Sequence, residues 1–225
     1  MMKAPIYKKL LLIFVISFLV VSIYSANLAK IPISGLSYRM APIVLDYHFD
    51  KKPSDKESSE KISISEFVND VFNGDEKTIC GVYITNHLAL RVIQQPANNF
   101  GFVSSVGGEA TQFSLAERYG VIGLLAHNYA SGSYFFGSKP GEIVQIVYGD
   151  GNIDLYKITE IHEYQALNPN SSSSSFIDLY TGEKLSAMQL FKQMYMGSHH
   201  VVLQTCIQKG HINSWGRLFV IAEPL

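Results

Sequence analysis

Residues 201–222 read VVLQTCIQKGHINSWGRLFVIA and contain two short apolar runs separated by a polar segment with two glycines. Runs of this length, bounded by polar residues and glycine, are typical of buried strands. We expect residues 201–207 and 217–222 to pair as an antiparallel hairpin. Cys206 then ends the first strand and Arg217 begins the second, so the sequence predicts that these two side chains face one site.

Strand signals recur upstream of this hairpin, in runs at residues 80–93, 121–126, 142–148 and 152–161. The Gly-Asp-Gly segment at residues 149–151 separates the last two runs and is a strong hairpin signal. Many short strands, with helices only in the connections, favour a closed or nearly closed β-barrel. The sequence therefore predicts a mainly β fold.

Short helices are predicted in the connections from their capping residues. Residues 63–66 and 186–189 carry Ser-x-x-Glu and Ser-x-x-Gln capping boxes, and apolar residues follow each box at helical spacing. A shorter helical turn is expected in residues 113–119, with Ser114 as its cap.

The amino-terminal part of the chain differs from the rest. Residues 10–29 carry no charge, and a helix of that length, at about 1.5 Å per residue, covers roughly the 30 Å of a membrane core. We expect a transmembrane signal anchor there, with residues 1–9 in the cytoplasm; a cleavable signal peptide is the alternative. Residues 30–62 combine prolines with mixed charge and are expected to form an extracytoplasmic tether to a folded domain at 63–225.

The overall composition excludes several classes of protein. The 18 Lys and Arg residues nearly balance the 19 Asp and Glu residues, which leaves no excess positive charge to drive nucleic-acid binding. A hydrophobic fraction of 47% is too high for a disordered chain, and two cysteines cannot staple a disulfide-rich scaffold.

Cys206 is a candidate thiol nucleophile, because a strand end that opens into a loop combines a rigid backbone with solvent access. Such a thiol needs a proton acceptor. His127 follows the run at 121–126 and His211 lies in the hairpin connection, and spacing alone does not choose between them. The alternatives for Cys206 are a buried small side chain and a disulfide with Cys80.

The order and intervals of three motifs resemble those of the sortases, which are exported cysteine transpeptidases. LLAHN at 124–128 resembles the strand end with the catalytic His, VLQTC at 202–206 resembles the TLxTC motif, and GRLFVIAEPL at 216–225 resembles the last strand with its initial Arg. Val202 stands where the first Thr of TLxTC is usual. The resemblance extends over roughly residues 81–224 and implies a closed eight-stranded sortase-type β-barrel.

The resemblance also implies the catalytic residues: His127, Cys206 and Arg217. Further candidates for substrate binding are Thr205, Tyr129 and Trp215. No metal site or other cofactor is expected; calcium dependence stays open, since Asp178 and Glu183 are the only acids in the long connection at 168–197.

The function implied by the resemblance is that of a single-pass membrane protein whose catalytic domain lies outside the cell. It cleaves sorting signals of exported proteins through a thioester and transfers the acyl group to an amine of a cell-wall precursor or a pilin Lys. Three alternatives are an exported thiol hydrolase, a peptidoglycan transpeptidase, whose SHGC-type signature is missing, and a non-enzymatic barrel with a Cys80–Cys206 disulfide.

Overall fold

The structure is a computed structural model that describes residues 62–171 and 173–225. The predicted cytoplasmic tail, the signal anchor and the tether up to residue 61 lie outside these residues. Within the described part of the chain, the helices are all too short or too polar to cross a membrane.

The described residues form one sheet of ten strands with a few short helices. The strands are β1 (Ile79–Ile84), β2 (Leu88–Gln94), β3 (Glu109–Gln112), β4 (Ile122–Leu125), β5 (Ile143–Tyr148), β6 (Ile153–Ala166), β7 (Phe176–Asp178), β8 (Lys184–Leu185), β9 (Val201–Lys209) and β10 (Ile212–Pro224). The helices are α1 (Ile64–Val71), α2 (Ser114–Glu117), α3 (Ala187–Tyr195) and a 3₁₀ helix (Ser131–Gly137).

Eight of these strands close into a barrel. The order of strands is β10-β9-β4-β3-β2-β1-β5-β6, and β6 pairs back onto β10 to complete the ring. Strand β7 pairs with the carboxyl-terminal end of β6, and β8 pairs with β7, so these two strands extend the sheet beyond the ring. Closure leaves the eight ring strands without a free edge. The prediction of a mainly β, closed eight-stranded barrel is confirmed.

The two faces of β9 pack against different layers. Val201 and Leu203 are fully buried in the barrel interior, whereas Val202 is fully buried on the outer face. Because side chains alternate along a strand, Gln204 and Cys206 share the outer face with Val202. The site residues of β9 therefore lie between the barrel wall and the elements that cover it.

Helix α3 covers this outer face. Its Leu190, Phe191 and Tyr195 belong to an apolar cluster that includes Val202 and Phe219 of the barrel wall. The predicted capping box is confirmed: Ser186 is the N-cap residue and pairs reciprocally with Gln189. The capping box that predicts this helix therefore also marks the element that forms one wall of the site.

Helix α1 packs elsewhere on the barrel, against β1 and β5. Its Phe67 and Val71 form a separate apolar cluster with Cys80, Tyr83 and Val147. The predicted capping box of Ser63 and Glu66 is confirmed. Cys80 lies in this cluster and both cysteines are free, so the alternative of a Cys80–Cys206 disulfide is wrong for this structure.

The expected cap of the short helix α2 is wrong. Phe113 is the N-cap residue and no side chain caps this helix. The backbone N–H and the hydroxyl of Ser114 donate instead to Oε1 of Gln95, at 3.0 and 2.8 Å. Ser114 therefore bonds to a residue of a distant segment and not to the backbone of its own helix. The spacing of residues in the sequence does not reveal such a partner.

Candidate active site

The site is built on three neighbouring strands with β9 in the middle. Across the antiparallel pair of β9 and β10, Cys206 lies directly opposite Arg217. The predicted hairpin and the adjacency of these two residues are confirmed. Directly opposite residues on paired strands are within about 6 Å at their Cα atoms, so the thiol and the guanidinium share one region.

On its other side, β9 pairs in parallel with β4. Leu125 aligns with Gln204, and the backbone N–H of Ala126 donates to the Gln204 carbonyl at 3.1 Å. His127 follows two residues after Leu125, as Cys206 follows Gln204. Since adjacent strands lie about 4.8 Å apart, the chain leaves β4 beside the strand position of Cys206.

His127, Cys206 and Arg217 all line one pocket between the barrel wall and α3. Most of the other lining residues are apolar. The aromatic rings in the lining belong to Phe100, Phe113, Phe176, Phe191, Tyr195 and Phe219. An apolar pocket with a few convergent polar groups is the usual form of a small-molecule or peptide side-chain site.

Arg217 is held firmly at this pocket. Its side chain is 4% exposed, and its Nη1 donates to the carbonyls of Ser214 and Gly216 at 2.9 and 2.7 Å. The planar, delocalised guanidinium group stays charged even when it is buried. The pocket therefore contains a fixed positive charge opposite the thiol.

The two cysteines differ in their surroundings. Burial, and then the charge of Asp75, raises the pKa of the Cys80 thiol, while Asn73 donates a hydrogen bond to its sulfur at 3.2 Å. Cys206 is only partly buried and lines the pocket with a histidine and an arginine. Of the two, Cys206 has the surroundings of a nucleophile.

His127 is a partly buried ring that stacks on Tyr129, with centroids 4.8 Å apart and an interplanar angle of 13°. Burial lowers the pKa of His127, and a hydrogen bond with the Val103 backbone opposes this only in part. The ring is therefore neutral at neutral pH and able to accept a proton.

We expect the ring of His127 to titrate with a midpoint below the ordinary value of about 6.5, because burial disfavours its charged form. The folded state then binds this proton less readily than the unfolded chain. The stability that neutral His127 contributes is therefore fully present above the pKa that His127 has in the unfolded chain. It is lost as the pH falls through the lower pKa that His127 has in the folded protein. NMR titration of the His127 ring protons measures the midpoint. Denaturant unfolding at a series of pH values measures the stability, and His127→Gln is the control, because it lacks the pH-dependent contribution of His127. An NMR midpoint above 6.5 would contradict the expectation.

The remaining candidates from the sequence are not among the residues that line the pocket. Tyr129 is 63% exposed; burial and then the charge on Cys206 raise its pKa, which indicates that it lies near the thiol. Trp215 stacks under the Lys209 ammonium, 4.5 Å from its ring centroid. Thr205 is 2% exposed and packs toward the 3₁₀ helix. His211 is exposed at the turn of the hairpin, beyond Lys209, which is about 10 Å along the strand from Cys206.

The 3₁₀ helix supports the His127 loop, a role that sequence reasoning missed. The carbonyl of His127 accepts hydrogen bonds from the N–H groups of Ala130 and Gly132, both at 2.9 Å. A Cβ atom on Gly132 would overlap the Thr205 hydroxyl and approach the carbonyls of Ala126 and His127 to 2.6 and 2.8 Å. The absence of a side chain at residue 132 therefore lets the helix close against the strand end that carries His127.

We expect Gly132→Ala to destabilise the protein by about 1–3 kcal/mol, the usual cost of overpacking, and to displace the His127 backbone. Urea unfolding measures the first effect, and the NMR chemical shifts of the His127 backbone and ring measure the second. The matched control is Gly107→Ala, where a Cβ meets nothing within 4 Å. Equal behaviour of the two variants would contradict this account of residue 132.

Among residues 62–171 and 173–225, no group of three or more His, Cys, Asp or Glu side chains is placed to hold a metal ion. In the long connection, one Asp178 carboxylate oxygen accepts the backbone N–H groups of Tyr180 and Thr181, both at 2.8 Å. This carboxylate stabilises the turn after β7.

No protein-family model and no curated protein sequence matches the chain. Solved structures do match it. Sortase A from Listeria monocytogenes is 12% identical, with 65% of this chain and 87% of that chain covered and a TM-score of 0.41. Sortase C-1 from Actinomyces oris is 13% identical, with 93% and 96% covered and a TM-score of 0.44. The sortase D5 transpeptidase from Clostridium perfringens is 13% identical, with 72% and 86% covered and a TM-score of 0.41.

The solved structures to which the chain is similar are therefore sortases of the A, C and D classes. At these identities and TM-scores the similarity is distant. The chemistry of the chain's own pocket is what bears on its function.

Proposed function

We propose that this chain is a cysteine transpeptidase of the sortase kind, with Cys206 as nucleophile, His127 as general base and acid, and Arg217 as the group that binds the developing oxyanion. The observation that carries this proposal is the convergence of these three side chains on one apolar pocket, Cys206 from β9, Arg217 from β10 and His127 from the segment that follows β4.

The first half of the reaction forms a thioester. Neutral His127 takes the thiol proton of Cys206, and the thiolate attacks a peptide carbonyl carbon. The carbonyl oxygen becomes negative and is stabilised by the Arg217 guanidinium. The C–N bond then breaks, His127 returns its proton to the leaving amine, and the acyl group stays on the Cys206 sulfur.

The second half transfers the acyl group. An incoming amine attacks the thioester carbonyl and gives a proton to His127, the C–S bond breaks, and the new amide leaves. His127 then returns the proton to Cys206. The proposed donors are an amine of a cell-wall precursor or a pilin Lys, and the proposed acyl substrates are exported proteins that carry a sorting signal.

The proposed location is the outer face of a cell membrane, with residues 10–29 as a single-pass anchor. Two substrates that are also held at the membrane would meet the tethered enzyme at high effective concentration. The apolar lining of the pocket supports a peptide substrate that inserts an apolar side chain next to the attacked bond.

The test uses the full-length chain, a pool of synthetic peptides and glycinamide as the amine. Intact-mass spectrometry is expected to show a peptide acyl group on Cys206, and the glycinamide adduct is expected as the product. Release of the free acid alone, with glycinamide present in excess, would favour a thiol hydrolase instead. No acyl adduct with any peptide would overturn the proposal.

A further inference from the structure

Gln204 lines the same pocket as Cys206, two residues earlier on the same face of β9. It occupies the variable position x of the TLxTC motif. The pocket around it is mainly aromatic and aliphatic, so an amide side chain is an exception in this lining.

The orientation of the Gln204 amide is set by α3. The Tyr195 hydroxyl donates a hydrogen bond to Oε1 of Gln204. Tyr195 itself is 2% exposed, and its ring makes edge contacts with Phe113 and Phe219, with centroids 5.2 and 6.3 Å apart. Burial raises the pKa of Tyr195, which keeps the hydroxyl protonated and able to donate.

With its oxygen bonded to Tyr195, the Gln204 side chain presents its NH₂ group as a donor. Among the described residues, no acceptor is bonded to this nitrogen. Gln204 is only partly buried, so this NH₂ group is open to the pocket, and a ligand that covers it without offering an acceptor takes away the hydrogen bonds that it makes with water. A bound molecule that brings a carbonyl oxygen to this point would restore one.

The spacing indicates which carbonyl this is. Residues i and i+2 of a strand are about 6.6 Å apart, and an extended peptide lying alongside has the same repeat. Carbonyl groups two residues apart in an extended peptide point in the same direction. A peptide whose attacked carbonyl lies at the Cys206 sulfur therefore presents the carbonyl two residues away toward Gln204.

We infer that Gln204 binds the peptide substrate by donating an amide hydrogen bond to the backbone carbonyl two residues from the bond that Cys206 attacks, and that Tyr195 positions Gln204 for this. The inference rests on the proposed function. It makes the enzyme selective for an amide carbonyl at one place in the substrate, in addition to an apolar side chain in the pocket.

The experiment uses two thiol-reactive probes on the full-length chain. The first is acetyl-Leu-Ala-Ala chloromethyl ketone, which alkylates a cysteine with loss of chloride. In the second, an (E)-alkene replaces the Leu-Ala amide and removes the carbonyl two residues from the ketone without adding charge. Intact-mass spectrometry and peptide mapping follow labelling of Cys206, and iodoacetamide reports the access of small reagents to the thiol.

Gln204→Met is expected to slow labelling by the first probe about two- to tenfold, the usual range for one hydrogen bond, and to leave the iodoacetamide rate unchanged. Tyr195→Phe is expected to slow labelling by the first probe when Gln204 is present. In the Gln204→Met variant, the additional change Tyr195→Phe should not slow this labelling further. With the alkene probe, all these variants should label at the wild-type rate. The matched control is Gln193→Met, an exposed residue of α3, which should behave as wild type with every reagent.

Two results would overturn the inference while the proposed function stands: wild-type labelling of Gln204→Met by the amide probe, or an equal loss with both probes, which indicates a structural defect. Failure of the amide probe to label Cys206 faster than Cys80, while iodoacetamide reacts with Cys206, would overturn the inference and the proposed function together.

Discussion

Replacing Cys206 with alanine is expected to abolish thioester formation with every peptide substrate. In the proposed mechanism the Cys206 sulfur is the protein atom that becomes bonded to the acyl group, so no other pocket residue replaces it. Cys206→Ser is expected to lose activity by a factor on the order of 10³ or more, because a serine hydroxyl ionises far less readily than a thiol. Intact-mass spectrometry after incubation with the peptide pool checks both variants.

The second cysteine of the chain supplies a matched control. Cys80 lies under α1 in a separate apolar cluster, and burial raises the pKa of its thiol. Cys80→Ala should form the acyl adduct at the wild-type rate, apart from any loss of folded protein, which circular dichroism measures. Loss of the adduct in Cys80→Ala, with retention in Cys206→Ala, would remove Cys206 from the mechanism.

Replacing His127 with alanine is expected to lower the rate of acylation by about 10²–10⁴-fold, the usual contribution of a positioned acid or base. The loss arises because the thiol proton has no acceptor and the leaving amine has no donor. Single-turnover rates measured across pH give a second signature. The limb of the wild-type profile that reports the lowered pKa of His127 should disappear in the variant.

His211 is the control for this prediction, since it follows Cys206 in the same hairpin connection but lies exposed at the turn. His211→Ala should retain the wild-type rate and the wild-type pH profile. A larger loss in His211→Ala than in His127→Ala would assign the base to the hairpin and refute the assignment to the end of β4.

The part of the fold that the sequence predicts well rests on local signals. The Gly-Asp-Gly turn predicts the β5–β6 hairpin, and residue types around residues 201–222 predict the β9–β10 hairpin with Cys206 opposite Arg217. The capping boxes at Ser63 and Ser186 are satisfied by residues three positions away, so the sequence contains both partners. Ser114 fails as a cap because its partner, Gln95, comes from a distant segment.

Only part of the candidate site could be predicted from the order of the motifs and from pairing between strands that are close in the sequence. Sequence spacing left His127 and His211 as equal candidates for the proton acceptor. The parallel pairing of β4 with β9 joins segments almost eighty residues apart, and this pairing brings His127 to the pocket that Cys206 lines. The supporting position of Gly132 has no local sequence signature, because the groups that crowd it include Thr205 of a distant strand.

By itself, the sequence determined the strand-rich character of the chain, its hairpins, its capped helices and the pairing of Cys206 with Arg217, since hydrophobic periodicity and turn chemistry act over a few residues. Only the tertiary structure decided the closure of β6 onto β10, the placement of His127, and the Tyr195 hydroxyl that orients Gln204. These contacts join segments that are distant in the chain, or depend on which face of a helix meets the barrel. Their geometry is set by packing of the whole domain, and no short stretch of residues contains it.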